Sequence, residues 1–103
     1  MKFNSFSPLP KDEEELHLPD LLYWASLGDI KQVEQLLAEG TDPNQTDDDG
    51  YSALHAAAEN GHLAVVKLLI NQGANIAYKG EYTALQLAEM AKNHEVVAYL
   101  NSL

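Results

Sequence analysis

The sequence predicts an all-α fold, a solenoid of antiparallel helix pairs joined by hairpin loops. Two observations lead to this fold class. Residues 21–44 align with residues 54–77 at an offset of 33, and residues 85–100 align with residues 54–69 at an offset of 31. Each copy also contains apolar residues at helical spacing, interrupted by a turn. Self-similarity at this period is the sequence signature of stacked helical repeats.

The chain divides near residue 20. We expect a repeat domain over residues 20–103, with units at about 20–45, 46–78 and 79–103, preceded by an acidic, proline-containing arm over residues 1–19. The arm is either a solvated, flexible segment or folds back, at least over Leu16–Pro19, onto the amino-terminal face near Trp24. Trp24 stands where repeat 2 has Ala57, and only a terminal repeat has room for an indole there.

Repeat 1 contains the signals of two helices and of an end cap. Gly28 and Gly40 align with the glycines that end the two helices of repeat 2. Gln32 and Gln35 replace apolar residues of repeat 2, as expected on a face that no neighbouring repeat covers. Repeat 1 is therefore predicted to be the amino-terminal cap.

Repeat 2 carries the complete pattern. Ser52 is a natural N-cap, and an alanine-rich helix follows it to Gly61, which can adopt the left-handed conformation that closes a helix. A second helix is predicted from about His62 to Asn71, with its apolar residues at helical spacing and Gly73 after its end.

Repeat 3 departs from the pattern as a carboxyl-terminal cap would. Thr83 and Gln86 have the spacing of a capping box, which predicts the start of its first helix. Lys92 stands where repeat 2 has Gly61, and His94 stands where repeat 2 has an apolar residue. One full repeat between two caps is about the smallest stable solenoid.

Residues 47–62, DDDGYSALHAAAENGH, carry the most specific motif. This segment resembles the ankyrin repeat pattern D-x-x-G-x-T-P-L-H-x-A-A-x-x-G-H, with Ser for Thr and Ala for Pro, and the resemblance extends over roughly 80 of the 103 residues at the family period. It implies that His55 and His62 make structural hydrogen bonds. It also implies that protein partners bind to the hairpin tips and the exposed sides of the first helices, which form a concave face.

Composition excludes several classes of function. The chain has 16 acidic and 6 basic residues, no cysteine and a net charge of −10, which argues against nucleic acid or an anionic membrane as the main partner. The absence of cysteine rules out disulfides, thiolate nucleophiles and cysteine-based zinc sites. With no secretory signal and no apolar run long enough to cross a bilayer, the cytoplasm is the expected location.

We expect no enzymatic activity, no metal and no cofactor. The histidines show no metal-binding or catalytic spacing, and no glycine-rich phosphate loop is present. The Asp47-x-Asp49-Gly50 segment has only a superficial similarity to a calcium loop, because Gln45 and Ala56 would occupy the first and twelfth ligand positions.

The resemblance assigns the partner-binding positions. The variable positions on the hairpin tips and first-helix ends are Ser26, Leu27, Asp48, Asp49, Tyr51, Glu59, Asn60, Lys79, Tyr82 and Met90. Tyr51 and Tyr82 are one local repeat apart and should project side by side, offering large contact area at low entropic cost. Asp47–Asp49 would favour a partner rich in Lys or Arg. In the alternative interpretation, the tyrosines only pack on the adjacent hairpin and the aspartates only maintain solubility.

The leading functional hypothesis is therefore a monomeric, non-enzymatic module that binds a protein partner with a basic surface. A more specific alternative is an immunity-like protein or inhibitor that stoichiometrically neutralises a basic toxin or enzyme. A structural or chaperone-like subunit of an enzyme complex is a third possibility. A pull-down at low and high salt separates electrostatic from salt-insensitive binding.

Overall fold

The computed structural model describes residues 19–103 and confirms the predicted all-α solenoid. Six helices occur in three consecutive pairs: α1 (Asp20–Leu27), α2 (Ile30–Ala38), α3 (Ala53–Glu59), α4 (Leu63–Asn71), α5 (Ala84–Met90) and α6 (His94–Asn101). Over residues 19–103 there is no β-strand, and antiparallel bridges at Thr46–Ser52 and Lys79–Thr83 close the loops that precede α3 and α5.

The helices form two rows. The first helix of each pair packs against the first helix of the next pair, so that α3 lies between α1 and α5, and α4 lies between α2 and α6 in the same way. Alanine dominates the buried positions of the first row, which lets these helices approach closely because the side chains at the contact set the distance between helix axes. The buried alanines are Ala25, Ala53, Ala56, Ala57, Ala58, Ala84 and Ala88.

The second row supplies the larger core side chains. Val33 of α2, Val66 and Leu69 of α4, and Val96 and Leu100 of α6 are buried at the interface between the rows. Burying a side chain of this size contributes about 1.5–3 kcal/mol to stability. The apolar spacing read from the sequence therefore corresponds to the core.

Side-chain caps fix where the first helices begin. The Ser52 hydroxyl accepts a hydrogen bond from the backbone N–H of His55 at 3.2 Å. Thr83 Oγ1 accepts one from the N–H of Gln86 at 3.1 Å, and Gln86 Oε1 accepts one from the N–H of Thr83 at 2.9 Å. Both N-caps predicted from the sequence are confirmed, and each satisfies amides that the helix leaves unpaired.

Polar bridges join successive repeats at the ends of the first helices. His62, the N-cap residue of α4, places its Nε2 3.1 Å from the carbonyl oxygen of Ser26. Asn93, the N-cap residue of α6, donates through Nδ2 to the carbonyl oxygens of Ala58 at 2.8 Å and Glu59 at 2.7 Å. These carbonyls belong to the last turn of a helix, where acceptors lack partners within the helix, although the Ala58 oxygen also accepts from the Gly61 N–H at 3.3 Å.

The amino-terminal cap differs from repeat 2 at the expected positions. Trp24 is half-buried and packs edge-on against Tyr23 at 4.9 Å, whereas the equivalent Ala57 is fully buried. Gln35 is exposed at the outer face of α2. The packing of the arm over Trp24 is predicted for Leu16–Pro19, of which residues 16–18 lie outside the described residues, so it stays a prediction.

Candidate functional site

A groove opens between the hairpin loops that precede α3 and α5, with a cavity volume of about 360 Å³. We call it the acidic groove. Its lining residues are Asp47, Asp49, Gly50, Tyr51, His55, Glu59, Gly80, Glu81, Tyr82, Leu87 and Met90. The hairpin tips form its rim and the first helices of repeats 2 and 3 form its floor.

Asp47 organises the hairpin of repeat 2. Its Oδ1 accepts hydrogen bonds from the backbone N–H of Asp49 at 2.9 Å and of Tyr51 at 3.0 Å. Gly50 donates its N–H to the Asp47 carbonyl at 3.0 Å and has φ = 79°, a conformation that favours glycine. The D-x-D-G segment therefore folds as a tight turn held by its first aspartate.

The two hairpin tips are in close contact. The Tyr78 hydroxyl donates to the Gly50 carbonyl oxygen at 2.8 Å. A Cβ atom at Gly80 would lie 2.7 Å from that same oxygen, so only glycine permits this approach. Contact between the tips fixes the width of the groove.

Tyr51 is held over the groove by Glu59. Its hydroxyl donates a hydrogen bond to Glu59 Oε1, which lies at the end of α3. Burial, followed by this hydrogen bond and the charges of Glu59 and Asp47, raises the pKa of Tyr51 well above its usual value. The phenol therefore stays protonated at physiological pH and keeps its donor directed at the carboxylate.

His55 supports the groove from beneath. It is only 3% exposed, and its ring stacks on Tyr51 with centroids 5.8 Å apart. The backbone N–H of Ser52 donates to Nδ1 at 3.1 Å, so the ring proton lies on Nε2 and is donated to the Tyr82 carbonyl oxygen at 2.7 Å. The imidazole is thus neutral, and burial lowers the pKa of His55 although the Tyr82 carbonyl and Glu59 oppose this effect.

The structure brings together five of the ten residues assigned to partner binding. Asp49, Tyr51, Glu59, Tyr82 and Met90 line the acidic groove. Among them, Met90 is 60% exposed and Tyr82 is 39% exposed, so the groove presents apolar side-chain surface beside its carboxylates.

The other five residues lie outside the groove lining. Asp48 is exposed at the hairpin tip, and Lys79 pairs with Thr83 in the bridge before α5. Ser26, Leu27 and Asn60 lie at the ends of α1 and α3. Leu27 is 55% exposed, whereas the Ser26 carbonyl is engaged by His62 and the Asn60 amide donates to Ala56 at 2.8 Å. Structural contacts therefore engage three of the five, Lys79, Ser26 and Asn60.

Six of the lining residues are not among the ten positions assigned to partner binding: Asp47, Gly50, His55, Gly80, Glu81 and Leu87. His55 was assigned a structural hydrogen-bonding role, and its bonds to Ser52 and Tyr82 agree with that role, but its ring also forms the groove wall. Gly80, Glu81 and Leu87 have no motif of their own. Leu87 lies one helical turn after Thr83, so the capping box of α5 was the only available signal for its position.

No group of three or more His, Asp or Glu side chains within residues 19–103 is placed to hold a metal ion. None of the helices described there combines the length and the apolar character required of a membrane span.

Comparison with known proteins identifies the repeats. The family described as "Ankyrin repeats (3 copies)" matches residues 21–102. Among similar proteins, "Ankyrin repeat and SAM domain-containing protein 6" of Mus musculus is 35% identical over 97 residues, which cover 88% of this chain and 11% of that protein. "Ankyrin repeat domain-containing protein 39" of Homo sapiens is 42% identical over 62 residues, which cover 59% of this chain and 34% of that protein.

Some similar proteins carry the names of enzymes. "L-asparaginase" of Dirofilaria immitis is 38% identical over 87 residues, which cover 82% of this chain and 15% of that protein. The chain thus spans between about a tenth and a third of the length of these relatives. What they share with it is the repeat region, and ankyrin repeats are non-enzymatic modules that mediate protein–protein interactions. The chain belongs to the ankyrin repeat family.

Proposed function

We propose that this chain is a non-enzymatic interaction module that binds a protein partner with a basic surface through the face containing the acidic groove. The observation that carries the proposal is the arrangement of Tyr51 and Tyr82 among four carboxylates, with no lysine in the groove lining. We also propose that the protein acts as a monomer in the cytoplasm. Size-exclusion chromatography tests the oligomeric state, and cell fractionation tests the location.

Charge favours a basic partner. The chain carries a net charge of −10, and Asp47, Asp49, Glu59 and Glu81 concentrate negative charge at one edge. A field of one sign raises the rate of encounter with a complementary surface and disfavours acidic competitors.

The tyrosines supply contact area at low entropic cost. Tyr51 is fixed by its bond to Glu59 and by the His55 ring, so little rotamer freedom is lost on binding. Tyr82 and Met90 expose apolar surface beside it, which matches the core of a protein interface surrounded by a polar rim.

Partner capture with matched tyrosine variants tests the proposal. Tyr51→Ala combined with Tyr82→Ala should weaken binding to a captured partner at least tenfold, since truncating an aromatic anchor costs about 2 kcal/mol or more. Tyr99→Ala is the control, because Tyr99 lies on α6 and not in the groove lining. Binding that survives the double substitution with unchanged affinity overturns the proposed face.

The acidic face also favours a narrower function, the stoichiometric inhibition of a basic toxin or enzyme. The same four carboxylates would neutralise a cationic active-site cleft. In that case the captured partner is an enzyme whose activity falls to zero at one equivalent of this chain. A partner that keeps full activity in the complex rules out inhibition but leaves the interaction module.

A further inference from the structure

We propose that the acidic groove is the binding site of one arginine side chain that projects from the protein partner. We call this binding site the arginine seat. This inference rests on the proposed function and names the partner group that the groove recognises. It is carried by the combined shape, charge and aromatic lining of the cavity.

The negative charge of the groove is arranged around a single opening. Asp47 and Asp49 come from one hairpin, Glu59 from the end of α3 and Glu81 from the next hairpin. Among the described residues, the hydrogen bonds of the Asp47 and Glu59 side chains use Oδ1 and Oε1 alone. The second oxygen of each carboxylate is therefore available as an acceptor.

The apolar lining fits a long, thin side chain. Tyr51, Tyr82, Leu87 and Met90 flank the same cavity of about 360 Å³, which is at the low end of the about 300–1,000 Å³ of ligand pockets. Arginine packs its methylene stem against apolar surface while its head stays polar, and its planar guanidinium stacks on aromatic faces. A single arginine side chain would therefore contact both the aliphatic and the aromatic residues of the lining.

Two other cations fit the groove less well. A metal ion requires several converging ligands, and no such group exists within residues 19–103. A lysine ammonium is compact and strongly hydrated, whereas a guanidinium offers five donors in a planar fork and is more weakly hydrated. The fork can bond to one carboxylate through two N–H groups at once, whereas an ammonium acts as a point charge.

The site is formed before any ligand arrives. Tyr51 is held between the His55 ring and the Glu59 carboxylate. The Tyr82 backbone is held by His55 Nε2, and the contact of Gly50 with Gly80 fixes the distance between the hairpins. A preformed cavity loses little freedom on binding, so recognition of a single side chain is measurable.

A pair of short peptides tests the inference without any knowledge of the partner. Uniformly labelled protein is titrated by NMR with acetyl-Gly-Ser-Arg-Ser-Gly-amide and with the same peptide containing citrulline, which is nearly isosteric but uncharged. The arginine peptide should shift the amides of Gly50, Tyr51 and Tyr82, and the citrulline peptide should bind at least tenfold more weakly. Equal affinities, or shifts scattered away from the groove, overturn the arginine seat.

Matched charge variants separate the groove from the overall charge. Glu59→Gln removes one negative charge but keeps an acceptor for the Tyr51 hydroxyl, and it should weaken the arginine peptide at least threefold. Glu34→Gln changes the net charge equally from an exposed position on α2 and should leave affinity unchanged within experimental error. Equal losses in both variants show a general electrostatic attraction and contradict a defined seat.

The inference and the proposed function fail in different ways. Loss of partner binding in the Tyr51→Ala/Tyr82→Ala variant, together with equal binding of the two peptides, retains the face and overturns the arginine seat. Discrimination between the peptides, together with unchanged partner binding in that variant, overturns the proposed face; the groove then binds arginine, but the captured partner does not supply it.

Discussion

The imidazole Nε2 of His55 lies 2.7 Å from the backbone carbonyl oxygen of Tyr82, so a buried side chain of repeat 2 fixes the hairpin of repeat 3. The same ring accepts a hydrogen bond from the Ser52 N–H through Nδ1. One residue thus caps its own helix and connects two repeats. Gln86, at the equivalent position of repeat 3, caps its helix in the same manner.

His55→Gln should separate these two roles. Glutamine can keep the cap, as Gln86 does, but it cannot also reach the Tyr82 carbonyl. We expect the free energy of unfolding to fall by about 1–2 kcal/mol, the cost of losing a buried hydrogen bond. Urea denaturation followed by circular dichroism measures it. Gln86→His is the reciprocal control and should change stability by less than about 0.5 kcal/mol, because Gln86 is exposed.

The contribution of His55 to stability should fall as the pH is lowered from about 7 to 5. The folded-state pKa of His55 lies below the unfolded value of about 6.5, so the contribution of the neutral ring is complete above that value and decreases as the pH falls toward the folded-state pKa. The quantity to compare is the difference in unfolding free energy between the wild type and His55→Gln at each pH. A difference that stays constant over this range contradicts the assignment.

Gly28→Ala should be more destabilising than Gly61→Ala. Both glycines have φ = 77°, so the backbone cost of about 1–2 kcal/mol is the same. A Cβ at Gly28 would lie 2.5 Å from His62 Nδ1, on a ring held by the Ser26 carbonyl, whereas a Cβ at Gly61 would meet the Asn93 amide at 3.0 Å. Thermal unfolding of the two variants should show the larger decrease for Gly28→Ala, and the reverse order would show that the ring moves aside freely.

Lys92→Gly should stabilise the protein by about 0.5–1 kcal/mol. Lys92 is the one non-glycine residue with positive φ, 62°, among residues 19–103, and it stands where repeats 1 and 2 have glycine. Removing its Cβ relieves the left-handed strain, which exceeds the added entropy of glycine in the unfolded chain. Lys92→Ala removes the same charge but keeps the Cβ, so it should not stabilise. If both variants were stabilised to a similar extent, the cause would be the loss of the lysine charge and not the relief of backbone strain.

Much of the fold could be predicted because its signals are local. The cap at Thr83, the glycine after α1 and the apolar spacing of α4 each act within one or two helical turns, and the structure places all three as expected. The repeat offset then specified which helices are neighbours. Periodicity therefore replaced the long-range information that a single sequence usually lacks.

The candidate site was only partly predictable. Tyr51, Tyr82 and Met90 were identified from their repeat positions, and the structure places them around one groove. The contribution of Leu87 and the pairing of Tyr51 with Glu59 depend on side-chain rotamers and on how closely two hairpins approach. Neither the rotamers nor the distance between the hairpins can be read from the spacing of residues along the chain.

The bridges between repeats have a consequence for how the domain opens. Within residues 19–103, every hydrogen bond from a side chain that crosses between repeats has repeat 2 at one end, including those of Asn44, His55, His62 and Asn93. An outer unit can therefore fray alone, whereas repeat 2 must break contacts on both sides to expose its amides. Native-state hydrogen exchange should be slowest near Val66, and a ligand held between repeats 2 and 3 should slow the fraying of the carboxyl-terminal unit.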